Sequence, residues 1–98
     1  MKVIYKYQVE VGYNALNLPK DSVVVHFGNQ DNKLCVWVLL DEDNPLELYE
    51  VHIVGTGWLR VQEDWKFLGT VQQGSFVWHA FLVKDTLTEE ILERHDGI

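Results

Sequence analysis

The sequence predicts a mainly β protein, with about six antiparallel strands in a small sandwich or barrel and a short C-terminal α-helix. Apolar and polar residues alternate along most of the chain, short β-branched runs are separated by turn residues, and a helix-capping signature occurs only near the end. At 98 residues there is room for one domain. Residues 1–84 are expected to form its β part and residues 85–98 a short acidic helix and tail.

The N-terminal half shows the alternation most clearly. One set of side chains is apolar and is predicted to face the core: Val3, Tyr5, Tyr7, Val9 and Val11. The other set is polar except for Ile4, and comprises Lys2, Lys6, Gln8 and Glu10. Turn-forming residues predict a connecting loop over residues 12–21, the run Ser22–Phe27 predicts a second strand, and Gly28–Asn32 predicts a turn.

The remaining predicted strands follow from apolar runs between turn signals. Leu34–Leu40 is a run of seven apolar residues, which predicts a central strand covered on both faces. Asp41–Pro45 ends it, and a fourth strand is expected over residues 48–55. After an irregular connection over residues 58–64, residues 66–72 and 76–83 predict two strands joined by a turn at Gln73 and Gly74.

The C-terminal segment has a different pattern. Thr86 and Glu89 have the spacing of a capping box, and Leu87, Ile91 and Leu92 recur on one helical face. A short helix is therefore predicted there.

Composition excludes several classes of protein. The single Cys35 permits neither an intramolecular disulfide nor a cysteine-based zinc site, so a disulfide-stapled secreted scaffold is excluded. The sequence offers neither a signal-peptide pattern nor an apolar stretch long enough to span a membrane, and a cytoplasmic location is expected. With 8 Lys+Arg against 15 Asp+Glu, the net charge of −7 disfavours direct nucleic-acid binding and favours a basic protein surface as partner.

Catalytic residues, metal ligands and cofactors are not predicted. The four histidines lack metal-ligand spacing, and no Ser or Cys lies in a nucleophile motif. Cys35 lies in the most apolar strand, where thiols are inert packing residues. His79 lies among aromatic residues, where it either bonds a buried partner or lines a pocket. The protein is therefore expected not to be an enzyme.

A ligand-binding cluster is predicted around the glycine-rich end of the fourth strand. Glycines let backbone N–H groups approach an anion, although a strand-terminal turn accounts for them equally well. Of the four tryptophans, Trp37 and Trp78 are predicted to lie in the core, while Trp58 and Trp65 bracket the irregular connection. A loop tryptophan can stack on a planar ring, anchor a protein interface or cap the sheet. The candidate ligand-binding residues are Gly55, Gly57, Trp58, Arg60 and His79.

A second candidate surface is acidic. Clustered carboxylates can steer association with a basic partner, although a solvated turn explains them more simply. The candidate partner-binding residues are Asp41, Glu42, Asp43, Glu63 and Asp64, with Glu89, Glu90 and Glu93 of the predicted helix adding to the field. Self-association is also expected, because two strands are apolar on both faces.

Six motifs occur in order along the chain: Met1–Tyr7, Leu18–Pro19, Cys35–Asp41, Ile53–Gly57, Phe67–Thr70 and Trp78–Phe81. The series resembles an uncharacterised family of small bacteriophage and prophage proteins. The resemblance extends to about Val83 and excludes the acidic tail after Lys84. In that family histidine usually follows Gly-Thr-Gly, where this chain has Trp58.

The resemblance implies a phage protein acting in the bacterial cytoplasm in host takeover or defence evasion, and it brings no established activity. Three functions remain open. The first is a binding protein that sequesters a nucleotide-like signal molecule. The second is an acidic inhibitor that blocks a basic surface of a host defence or nucleic-acid-binding protein. The third is a minor virion or assembly protein whose sheet edges pair between subunits.

Overall fold

A computed structural model describes residues 1–58 and 61–83, which contain seven antiparallel strands and no helix. The strands are β1 (Lys2–Gln8), β2 (Gly12–Pro19), β3 (Val23–Gln30), β4 (Lys33–Asp41), β5 (Leu46–Gly55), β6 (Lys66–Gln73) and β7 (Phe76–Val83). The prediction of a mainly antiparallel β fold is confirmed, with one strand more than expected. The predicted C-terminal helix lies outside the described residues.

The strands form two sheets that enclose one core. The three-stranded sheet has the order β1-β4-β3 and the four-stranded sheet the order β2-β5-β7-β6. Inward-facing side chains of both sheets meet between them, because alternate residues of a strand point to the same face. The largest fully buried side chains are Leu18, Ile53, Val36, Val38 and Val51. The arrangement is a β-sandwich.

The prediction of a loop over residues 12–21 is wrong for its first eight residues, which form β2 along the edge of the four-stranded sheet. Asn14 fits this edge because its side-chain amide donates to the carbonyl of Glu10 at 2.8 Å and to that of Val51 at 3.2 Å. Pro19 is tolerated because it ends an edge strand, where a missing N–H interrupts no central ladder. Leu18 is fully buried, so the segment contributes to the core.

β4 is central in its sheet, as predicted, but it is not covered on both faces. Its inward side chains are buried, whereas the outward Trp37 and Leu39 are half-buried. Trp37 therefore lies outside the core, and its ring lies 5.2 Å from that of His26 on the outer face of the sheet. Gly28 makes this packing possible, since a Cβ there would lie 2.7 Å from Nε2 of His26. The core prediction for Trp78 is confirmed, because it is 9% exposed.

Two tight hairpins fix the register on either side of the core. The predicted turn over Gly28–Asn32 is narrower than expected: β3 continues to Gln30, and only Asp31 and Asn32, with φ of 52° and 63°, link it to β4. Positive φ at both central residues is the geometry of a type I′ turn, whose twist matches the flanking strands. The turn predicted at Gln73 and Gly74 lies one residue later: β6 includes Gln73, and Gly74, with φ of 59°, and Ser75 link it to β7.

Candidate functional site

The C-terminal end of β5 turns sharply at Gly-Thr-Gly. The backbone N–H of Trp58 donates to the carbonyl of Gly55 at 3.1 Å, and Gly57 has φ of 85°. Gly57 therefore supports the turn interpretation of the motif, because few residues other than glycine adopt that conformation without strain. Gly55 serves another purpose. A Cβ at this position would lie 2.7 Å from Nε1 of Trp58, so its absence lets the indole pack against the strand backbone.

Three aromatic side chains meet beside this turn. The rings of Trp58 and Trp78 are 5.7 Å apart at 80°, and those of Phe76 and Trp78 are 5.4 Å apart at 15°. The antiparallel register pairs Gly55 with Trp78, which places Trp58 over the neighbouring strand. The indole N–H of Trp78 donates a hydrogen bond to Oε1 of Gln73 at 3.0 Å, which fixes the orientation of the ring. A buried tryptophan thus supports two more exposed aromatic rings.

These rings border a surface depression of about 370 Å³, called here the tryptophan groove. Trp58 is 51% exposed and Phe76 is 60% exposed, although both are large apolar side chains. Within the part of the chain that the structure describes, the lining contains hydroxyl groups and aromatic faces but no charged side chain: Gly55, Thr56, Trp58, Ser75, Phe76, Val77 and Trp78. Such a surface suits a planar ligand that stacks on an aromatic face and hydrogen-bonds at its edge.

His79 is adjacent to the groove but does not line it. It lies on the outer face of the four-stranded sheet, opposite in direction to Trp78. Both ring nitrogens are engaged: Nε2 is 2.7 Å from the hydroxyl of Thr56, and Nδ1 is 2.8 Å from the hydroxyl of Thr70. Its effect on the groove is therefore to position Thr56. Arg60, the remaining predicted ligand-binding residue, lies outside the described residues.

A second depression, of about 360 Å³, lies on the outer side of the same sheet. We call it the His52 groove, and Trp58 lines it as well as the tryptophan groove. His52 packs between two aromatic rings, 4.5 Å from that of Trp65 and 5.3 Å from that of Tyr13. The lining is Gly12, His52, Ile53, Val54, Trp58, Gln62 and Trp65.

Of the residues that line the two grooves, only Gly55 and Trp58 were predicted as ligand-binding candidates. Phe76 and Ser75 enter the tryptophan groove from the β6–β7 hairpin, and Gln62 enters the His52 groove from the irregular connection. The hairpin turn was itself predictable, but its position beside β5 depends on long-range pairing. For Phe76 the available signal was an aromatic residue directly after a tight turn.

The first group of predicted partner-binding acids, Asp41, Glu42 and Asp43, is called here the acidic turn. Its carboxylates bond within the chain: the amino group of Met1 lies 3.1 Å from Asp41 and 3.3 Å from Asp43, and the Tyr5 hydroxyl donates to Glu42. The pKa of Asp41 is lowered, first because its carboxylate accepts a hydrogen bond from the Asp43 backbone N–H and second because it contacts the amino terminus. The pKa of the Met1 amino group is correspondingly raised, chiefly by Asp41.

The second group of acids lies elsewhere in the fold. Glu63 and Asp64 are exposed in the connection before β6, whereas the acidic turn follows β4 in the other sheet. Within residues 1–58 and 61–83, no hydrogen bond or ion pair connects the two groups. The same ranges contain no cluster of metal-ligating side chains and no helix long and apolar enough to cross a membrane. The predicted helix acids Glu89, Glu90 and Glu93 lie outside the described residues.

Comparison with known proteins places the chain in one family. The chain matches the family described as a domain of unknown function (DUF7352) over residues 1–90. It belongs to that family. The match extends seven residues past Val83, so the family's domain includes part of the acidic tail that the motif resemblance left out. No curated protein and no solved structure matches the chain.

Proposed function

We propose that this DUF7352 protein is a non-enzymatic binding protein that holds a planar, nucleotide-like ligand in the tryptophan groove. The supporting observation is the exposure of Phe76 and Trp58 around a buried tryptophan. A ring stacked on these side chains would remove apolar area from water without disturbing the core. The hydroxyls of Thr56 and Ser75 provide edge contacts that distinguish one heterocycle from another.

Calorimetric titration with nucleosides and nucleoside monophosphates tests this proposal. Phe76→Ala should weaken binding about tenfold or more, because aromatic stacking contributes about 1–3 kcal/mol per base. Phe67→Ala is the matched control, since Phe67 is 57% exposed on the outer face of the same sheet and does not line the groove. Equal affinities for wild type and Phe76→Ala, or no binding to any of these compounds, would reject the groove as the ligand site.

The acidic turn supports a second candidate function, inhibition of a basic host or phage protein surface. The net charge of −7 favours rapid association with such a surface. Neutralising Asp41, Glu42 and Asp43 to amides should slow association with a lysine-rich peptide and reduce its salt dependence. Glu47→Gln, which removes one exposed carboxylate outside the acidic turn, is the control. An unchanged association rate in the triple variant would exclude electrostatic steering by this turn.

The biological setting is part of the same proposal. The motif resemblance supports a phage protein that acts in the bacterial cytoplasm as an anti-defence factor by sequestering a signal molecule.

Exposed Ile4, Val23 and Val25 on or near the outer face of the three-stranded sheet support homo-oligomerisation. Native mass spectrometry before and after exposure to lysate from defence-active cells would report stoichiometry and bound mass together. An oligomer with no added mass would count against the ligand-binding and inhibitor proposals and favour the virion-assembly alternative.

A further inference from the structure

Trp58 is shared by two depressions of nearly equal size. The tryptophan groove measures about 370 Å³ and the His52 groove about 360 Å³, and Trp58 is the residue that lines both. On one side it contacts Trp78, whose ring stacks with that of Phe76, and on the other side Trp65 and His52 form the wall. A single exposed indole therefore separates two aromatic-lined spaces.

The chemistry of the two linings is also alike. Among residues 1–58 and 61–83, neither lining contains a lysine, arginine, aspartate or glutamate, and each combines aromatic rings with neutral hydrogen-bonding groups. Thr56 and Ser75 supply hydroxyls on one side, and Gln62 supplies an amide on the other. A strongly charged ligand would lose its hydration without gaining a charged partner among these residues. Planar groups of low charge are therefore favoured in both grooves.

We propose that the ligand has two planar rings joined by a short polar linker, as in a dinucleoside monophosphate, and binds across Trp58 with one ring in each groove. This inference rests on the proposed function of the tryptophan groove and specifies its ligand class. A ring held in one groove raises the effective concentration of its tethered partner at the other, so the linked ligand binds more tightly than either half. The single phosphodiester charge of the linker remains at the solvent-exposed edge of Trp58.

The experiment compares ligands of equal charge on the full chain. The probes are the four dinucleoside monophosphates with two identical bases, and the corresponding nucleoside 3′-methylphosphates, which carry the same single negative charge. Wild type should bind at least one dinucleoside monophosphate about tenfold or more tightly than its methylphosphate. Trp65→Ala should remove that advantage while leaving the affinity for the methylphosphate within about twofold, because Trp65 lines only the His52 groove.

The outcomes separate this inference from the proposed function. Equal wild-type affinity for the two kinds of probe, with both weakened by Phe76→Ala, would overturn the two-ring ligand and leave the tryptophan groove as a single-ring site. A dinucleoside advantage that persists in Trp65→Ala would also overturn it, because the second ring would then bind elsewhere. Binding of neither probe would reject both proposals. The wild-type comparison requires no substitution, so a folding defect in Trp65→Ala cannot mask the result.

Discussion

The tryptophan groove and the acidic turn are the two surfaces to which the sequence drew attention, and they differ in what they leave available. In the acidic turn, Asp41 and Asp43 hold the Met1 amino group and Glu42 accepts from Tyr5. In the groove, aromatic faces remain exposed above a buried tryptophan. A count of acidic residues therefore overestimates how many carboxylates are free to bind a partner, because some of them bond within the chain.

The physical origin of the contrast is the strength of the two kinds of contact. Exposed ion pairs contribute little to stability and exchange readily with water, so the acidic turn can still reorganise around a cation. The exposed aromatic area of the groove lies against rigid strands and loses contact with water only when something covers it. Substitutions at the two surfaces should accordingly have effects of very different size.

The largest effect is expected for Trp78→Ala, which removes the support of the groove. Trp78 is 9% exposed and contacts both Trp58 and Phe76, so its loss leaves a cavity as well as two unsupported rings. Replacement of a buried tryptophan by alanine costs about 3–5 kcal/mol. Urea denaturation should show a large decrease in midpoint with no loss of cooperativity. If the free energy of unfolding fell by less than about 1 kcal/mol, Trp78 would not be the support of the groove.

A smaller and more selective effect is expected for Gly55→Ala. The new Cβ would overlap Nε1 of Trp58, and the half-exposed indole can swing away, so the cost should be about 1 kcal/mol. Acrylamide quenching of tryptophan fluorescence should increase because Trp58 becomes more accessible.

Gly57→Ala is the control in the same turn. At Gly57 a Cβ meets no atom within 4 Å, but φ of 85° makes the backbone unfavourable for alanine. Its cost is therefore about 1 kcal/mol of backbone strain, with quenching unchanged. Similar quenching in the two variants would show that Gly55 does not position Trp58.

How far the fold was predictable from sequence depends on whether each element is specified locally. Strands β3 to β7 have their own apolar runs between turn signals, and sequence located them to within a few residues. β2 was missed because Asn14 takes an inward position and Pro19 is a turn-forming residue, and its strand conformation follows from pairing with β5. Local propensity indicated a loop, and tertiary pairing determined the structure.

The candidate site shows the same limit. Gly55 and Trp58 are close in sequence, so their association was predictable, whereas Phe76 and Trp78 join them through the register of β5 and β7. The placement of His79 relative to Trp78 was predictable. Trp78 and His79 are consecutive strand residues, so period-two alternation already requires them to face opposite sides of the sheet. Assigning Trp78 to the core should therefore have moved His79 out of any groove beside it.

The smallest expected effect concerns the acidic turn and is a change in pH dependence. The pKa of Asp41 is below its ordinary value of 3.8, so its stabilising contribution is present above that value and is lost as the pH falls through the lowered pKa. The pKa of the Met1 amino group is above 8.0, so its contribution is present below pH 8.0 and is lost as the pH rises through the raised pKa. The two groups therefore stabilise the fold together between these limits.

Asp41→Asn should reduce the pH dependence of stability at both low and high pH. The Asp41 carboxylate titrates at low pH, and it is also the main partner of the Met1 amino group, which titrates at high pH. Urea midpoints measured from pH 2 to pH 10 would show this, and an NMR titration of Met1 should give an amino pKa closer to 8.0. Glu63→Gln removes the same charge from an exposed site in the connection before β6 and should leave the amino pKa unchanged. If Asp41→Asn and Glu63→Gln shift it equally, long-range charge rather than the contact at 3.1 Å holds the amine, and the acidic turn would retain its full field for a partner.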